Sequence, residues 1–309
     1  GPEWMTIPGF SVYWPPWEFQ RDFGLAGTRL FDFPCNAARC DYTRSLQVWK
    51  STNPDVWDYS QLEQFFTAVV GQNPNAMVMP RLFIGTPDWW MAANPSELEV
   101  LDTGSTLYVG TGILPRSGPF PSLVSQKWRQ DMAYALEHFL DYVATRPYAK
   151  NIVGYKLMGL GTDEWYHWSY NMDEFSGYSV PTTHAFRDWL RRRYGNDVNA
   201  LRTSWGQPSV SFDNATVPSK ADRKAGQGNR TFRNPTQYMH VIDWNQFYNE
   251  MIPDTQNYFA GVIKNKTGGE KLVGGFYAYA YEFGGNPECG HMALKQYLDS
   301  PNLDFVYVT

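Results

Sequence analysis

A chain of 309 residues with a net charge of −5 and a pI near 5.6 offers no dominant basic surface, which argues against nucleic acid or an anionic membrane as its main partner. Its 43% hydrophobic and 18% charged residues are those of a globular protein, and no run of 18 apolar residues reads as a membrane span. The aromatic share of 17%, with 13 Trp and 20 Tyr, exceeds what a core requires. Tyr and Trp join an apolar face to a polar handle, so carbohydrate is the first substrate class to test; a generously aromatic core is the alternative.

In chain order, residues 10–14 read as a first strand closed by Pro15 and Pro16, and residues 17–25 as a helix. Residues 28–33 give a second strand ended by Pro34. After a long loop, Leu62, Phe65, Phe66, Val69 and Val70 share one helical face. Residues 77–85 form a third strand. The stretch 86–125, rich in Pro, Gly and Ser, reads as a long functional loop. Trp128, Met132, Leu136, Phe139 and Val143 then define a helix that Pro147 stops. Strand, helix, strand, helix in this order implies parallel strands joined by crossovers.

The fourth strand opens IVGYKLMGLGTDEWYHW, residues 152–168, the most informative stretch of the sequence. Burial against Trp165, Tyr166 and Trp168, together with the neighbouring Asp163, disfavours the ionised form of Glu164. Glu164 is therefore expected to hold its proton near neutral pH, as a general acid must; an exposed loop Glu beside core tryptophans is the alternative. Residues 172–271 are a large helical insertion before the fifth strand. Within it Arg191, Arg192 and Arg193 read as the solvated face of an amphipathic helix, residues 219–235 as a mobile loop, and 238–263 as a helix that Pro253 kinks or divides. Residues 272–281 are the fifth strand, ending at Tyr281 and Glu282, and 303–309 a sixth. No repeat or linker divides the chain, so residues 1–309 are expected to form a single domain.

Cys35, Cys40 and Cys289 do not make a disulfide framework; buried or free thiols are favoured, with one short-loop disulfide as the alternative. The five histidines are isolated, so no metal site is expected, and no Gly-rich phosphate loop appears, so no cofactor is implied. The first residues lack a signal-peptide pattern, while sequons at Asn214, Asn229 and Asn265 leave secretion open. A soluble protein, cytoplasmic or secreted, is the expectation.

The ordered set PGF (8–10), PDWW (87–90), NPSELEV (94–100), SQKWRQDM (125–132), GYKLMGLGTDEW, FRDWLRRRYG and LRTSWG (201–206) resembles the catalytic barrel of clan A retaining glycoside hydrolases, most closely the family 42 β-galactosidase type. The resemblance implies an α/β fold, a (β/α)8 TIM barrel of which strands one to six are identifiable here and the last two are not. It implies a retaining β-glycosidase acting on β-galactosides, with Glu164 as acid/base and Asp163 where the clan usually has Asn. Two carboxyl groups about 5 to 5.5 Å apart are needed. The clan's nucleophile follows strand seven, which is expected beyond Thr309; Glu282 is the stand-in within the chain, and Asp304 precedes its strand and so faces the other rim. Trp14, Trp89, Trp90, Trp165 and Trp168 are expected around the sugar. Asn36, Arg81 and His167 are the expected hydroxyl partners, with Tyr281 and Glu282 as further contacts. Family 42 enzymes are often trimeric, so a homo-oligomer is compatible with the resemblance. The reading from another class is a carbohydrate-binding or inactive relative without a nucleophile.

Overall fold

The structure, a computed structural model, describes residues 9–11, 18–38, 47–53, 55–107, 118–160, 164–167, 173–225, 231–279 and 286–308. β1 (Gly9–Ser11) and α1 (Glu18–Leu25) come first, followed by β2 (Leu30–Asp32) and β3 (Pro34–Asn36). The strand therefore runs on past Pro34, contrary to expectation. β1 flanks β2 only as far as Asp32, so the missing N–H of Pro34 faces no described neighbour on that side.

An antiparallel hairpin, β4 (Trp49–Thr52) and β5 (Asp55–Trp57), occupies what the sequence presents as loop. Its indoles are sealed on both sides. Trp57 stacks on Trp49 at 5.0 Å and on His138 at 4.0 Å. α2 (Ser60–Gln72) follows and buries Leu62, Phe66 and Val69 as the periodicity requires.

The third strand is interrupted into β6 (Met77–Val78) and β7 (Arg81–Phe83). Leu30 pairs with Met77 and Pro34 with Arg81, so one register continues across the break, bridged by Met79 N–H to the Phe31 carbonyl and Arg81 N–H to the Phe33 carbonyl. The PDWW segment is helical: α3 (Asp88–Ala93) begins directly after Pro87 and leads into a 3-10 turn, Pro95–Glu97. α4 (Gln126–Ala144) starts at Ser125, whose hydroxyl accepts from Trp128 N–H at 3.0 Å. β8 (Gly154–Met158) is buried along its whole length.

Between β8 and β9 lie α5 (Val180–Arg193), α6 (Val198–Trp205), α7 (Lys220–Lys224) and α8 (Pro235–Lys266). Asp243 of α8, fully buried, ties the first two down: it accepts from Arg193 Nε, the Tyr194 hydroxyl and Trp205 Nε1 at 2.6–2.8 Å. Two parts of this segment differ from expectation. Lys220–Lys224 is helix with Arg223 wholly buried, where the sequence suggests a mobile loop. And α8 runs through Pro253, its one non-helical residue being Tyr238. Pro253 cannot donate to the Asn249 carbonyl four residues back; the Tyr277 hydroxyl lies 3.3 Å from that oxygen.

β9 (Leu272–Phe276), α9 (Leu294–Leu298) and β10 (Phe305–Tyr307) complete the described elements. The strands lie in chain order, β1, β2/β3, β6/β7, β8, β9, β10, with every pair among them parallel. Six parallel strands in sequence order with helices as crossovers form the wall of an α/β barrel, open among the described residues at β1 and β10. On its inner side Lys156 reaches Asp32 at 2.5 Å and lies 4.2 Å from the Tyr307 ring, and Arg81 lies 3.6 Å from Asp32. No described helix is long and apolar enough to cross a membrane.

Candidate active site at the end of the fourth strand

β8 delivers the chain to Gly159 and Leu160, and after three residues outside the described set Glu164 returns to pair with Gly159 in a parallel bridge. The return is held by Trp165. Its N–H donates to the Gly159 carbonyl at 3.2 Å, and its indole N–H donates to the Leu157 carbonyl at 3.0 Å. The six-membered ring lies where a Cβ on residue 159 would be, at 2.7 Å, so only glycine admits it. Leu160 and Trp165 both adopt left-handed backbone, φ 61° and 63°, at a cost of about 1–2 kcal/mol each. Strain of this kind persists where the surroundings over-determine it, and it collects at functional sites. Glu164 itself is half-buried.

Beneath it is a histidine pair. His167 Nε2–H donates to the Tyr248 carbonyl at 2.7 Å, its ring stacks on Tyr248 at 3.7 Å, and its N–H donates to the Cys289 carbonyl at 3.2 Å. His291 stacks on Tyr277 at 4.7 Å, packs against Tyr166 at 4.7 Å, and its Nδ1 accepts from Tyr279 N–H at 3.4 Å. Burial pushes both imidazoles down to about 3, partly opposed at His167 by the Tyr248 carbonyl and at His291 by the backbone of Trp165 and Glu164. Both are neutral at physiological pH. Burial also pushes the Cys289 thiol up to about 11, so it is inert. Cys35 and Cys289 are both buried and in the thiol form.

Gly290 makes this packing geometrically feasible. It holds φ 89°, and a Cβ there would stand 2.6 Å from His167 Cδ2 and 2.4 Å from Ile252 Cδ1. Gly290→Ala is expected to cost about 2–5 kcal/mol, from left-handed strain of about 1–2 and overpacking of about 1–3. Urea unfolding checks it against Gly268→Ala, where φ is 61° and the space is open, so that only the strain applies.

The structure brings Glu164, Trp165 and His167 together but gives the other expected residues different surroundings. Trp165 is 1% exposed and His167 is buried, so both brace the segment from below. Trp90 is equally buried and donates to Asp131 at 2.7 Å; it belongs to the α3–α4 packing. Trp89 is half-buried, edge-on to Trp49, with its N–H on the Trp49 carbonyl at 3.0 Å. Arg81 sits in the barrel interior beside Asp32, with 1% exposure. The backbone of Asn36 lies in β3; its side chain, together with Trp14, Asp163, Trp168, Tyr281 and Glu282, lies outside the described residues. Tyr248, Tyr277, Tyr279, Gly290 and His291 were not singled out as site residues. The available signal was the cluster of Gly, Pro and His directly after the fifth strand. Among the described residues no group of three or more His, Cys, Asp or Glu is placed to hold a metal ion. A cleft of about 750 Å³ between α8 and α9, lined in part by Asn245, Glu250, Met292 and Gln296, contains none of the candidate residues.

Comparisons with known proteins place this geometry. Among solved structures, the β-galactosidase of the psychrophilic Marinomonas ef1 is similar at a TM-score of 0.56 and 16% identity, over 86% of this chain and 36% of that one. The β-galactosidase of Bacillus circulans sp. alkalophilus gives 0.54 and 15%, over 86% and 35%. The catalytic domain of β-amylase from Paenibacillus polymyxa gives 0.64 and 14%, over 96% and 74%. At these identities the likeness is one of fold, that of the TIM-barrel glycosidases, and the chain spans about a third of the length of the two β-galactosidases. No curated protein matches the sequence. The family model described as beta-galactosidase, glycoside hydrolase family 42, matches residues 35–302, and the chain belongs to that family.

Proposed function

We propose that this chain is the catalytic part of a retaining β-glycosidase that cleaves β-galactosides or related β-linked sugars, with Glu164 as acid/base. The observation that carries this reading is the position of Glu164, half-buried and bridged to Gly159 directly after β8, the fourth parallel strand of a family 42 chain. In barrels of this kind the functional rim is the one that follows the strands. In the first step the Glu164 carboxyl gives its proton to the glycosidic oxygen while a second carboxylate attacks the anomeric carbon. In the second, Glu164, now a carboxylate, takes a proton from the water that displaces the enzyme from the sugar.

Two places would supply that second carboxylate. One is Glu282, after the fifth strand; the other is a strand lying between β10 and β1, whose edges are open among the described residues. Closure of the wall by two further strands gives the eight-stranded ring of this fold. Asp163, Trp14, Asn36, Trp89, Trp168 and Tyr281 are the sugar contacts in this reading. The test is proton NMR of 4-nitrophenyl β-galactoside hydrolysis by the purified protein. β-Galactose is expected as the first-formed anomer. α-Galactose would overturn the retaining mechanism, and sugar binding without hydrolysis would overturn the enzyme reading.

A further inference from the structure

Glu164 rests on a segment whose support comes largely from outside β8. Residues 286–293, the loop after β9, lie beneath residues 164–167 and are held at both ends by one side chain. Asn249 of α8 donates to the Pro287 carbonyl at 2.9 Å and accepts from Met292 N–H at 2.9 Å. The Tyr277 hydroxyl pins the middle, donating to the Gly290 carbonyl at 2.9 Å and accepting from Ala293 N–H at 3.0 Å. Glu288 is anchored from the opposite side. It pairs with Arg223 of α7, and both are buried. The guanidinium lies 4.8–5.4 Å from the rings of Phe175, Tyr178, Trp244 and Tyr248, and donates to the Ser176 carbonyl at 2.7 Å.

This loop meets the Glu164 segment at three points. The Cys289 carbonyl accepts from His167 N–H, Gly290 makes room for the His167 ring, and His291 packs on Tyr166 next to the backbone of Glu164 and Trp165. Tyr248 closes the circuit, since it faces Arg223 and stacks on His167. A carboxyl group that must place one proton on one oxygen gains from such support, because a misplacement of about 1 Å can cost on the order of 100-fold in rate.

We propose that residues 286–293 are the positioning shelf of Glu164, with His291 as the positioning residue nearest to it and the Glu288–Arg223 pair as its anchor in the helical segment between β8 and β9. The proposal rests on the reading of Glu164 as the general acid. It assigns the α5–α8 segment a part in setting the acid's geometry, beyond covering the barrel.

The experiment compares kcat/KM on phenyl and on 2,4-dinitrophenyl β-galactoside for the wild-type protein and for His291→Asn and Glu288→Gln. kcat/KM reports the first step, in which the departing phenol oxygen needs Glu164's proton and 2,4-dinitrophenolate departs without it. Loss of position is expected to lower the phenyl value by about 10- to 100-fold and the dinitrophenyl value by less than about 3-fold. A role confined to stability would lower both values together, or neither in the folded variants, and would overturn the proposal. Near-ultraviolet circular dichroism identifies the folded variants. Arg223→Lys, which keeps the charge at a shorter reach, replaces any variant that unfolds and is expected to show the same asymmetry. A wild-type protein that hydrolyses neither galactoside overturns the function reading itself, and the shelf with it.

Discussion

Glu288→Ala is expected to lower the free energy of unfolding by about 3–5 kcal/mol, because it leaves a guanidinium buried without its counter-charge. Arg223 is wholly buried in α7, and its pairing with Glu288 spans two parts of the chain 65 residues apart. Burial works against the Arg223 charge, and Glu288 more than offsets it, so the guanidinium is held protonated well above its ordinary range. Removing Glu288 leaves the burial and takes away the compensation. The aromatic rings around Arg223 soften the loss without cancelling it, since a cation over a ring contributes about 0.5–2 kcal/mol. The double replacement Arg223→Met with Glu288→Leu removes both charges together and is expected to recover most of the loss. Urea unfolding of the three variants checks this. A Glu288→Ala protein within about 1 kcal/mol of wild type, the ordinary range for an exposed pair, would show that the pair is solvated.

Acid is expected to destabilise the protein steeply through His167 and His291. Their folded values are near 3, whereas an unfolded histidine titrates near 6.5. Above about pH 6.5 both states are neutral and the stability is fully present. As pH falls from about 6.5 towards 3 the unfolded chain takes up two protons that the folded chain refuses, so stability is lost in that window. Each histidine contributes a slope of about 1.4 kcal/mol per pH unit. Between pH 6.5 and 4.5 the pair would account for roughly 5 kcal/mol, a large share of the total stability of an ordinary domain. Titrating carboxylates add to acid loss as well, so the test is a difference. His291→Asn is expected to be less stable than wild type at pH 7 but to lose about 2–3 kcal/mol less on going to pH 4.5. Equal losses in the two proteins would show that His291 is hydrated and titrates normally.

Much of the scaffold was legible because periodicity speaks directly about burial. α2 and α4 fall where Leu62, Phe66, Trp128 and Leu136 place them, and the six parallel strands lie in the expected order. The β4–β5 hairpin was missed although its signal was present: Trp49 answers Trp57 and Ser51 answers Val56, and the sequence between the two strands contains the turn-forming pair Asn-Pro. Arg223 was illegible for a different reason. KADRK reads as a solvated stretch, and what buries it is Glu288 and four rings distributed over the sequence. The same holds for Asp243, whose three donors belong to two other helices and the turn between them. At the site, local sequence singles out Glu164 and assigns its neighbours to the sugar. Trp165 and His167 prove to be packing and hydrogen-bonded supports, a distinction set by Gly159, Gly290 and Tyr248. Composition cannot tell a tryptophan that stacks on a ligand from one that stacks on a glycine.

The reading of Glu164 stands on one kinetic comparison, Glu164→Gln against wild type on phenyl β-galactoside. The amide keeps the shape of the side chain and removes its proton, so kcat/KM is expected to fall by about 100- to 10,000-fold with the fold intact. A variant that retains wild-type activity would contradict the assignment of Glu164 as the acid.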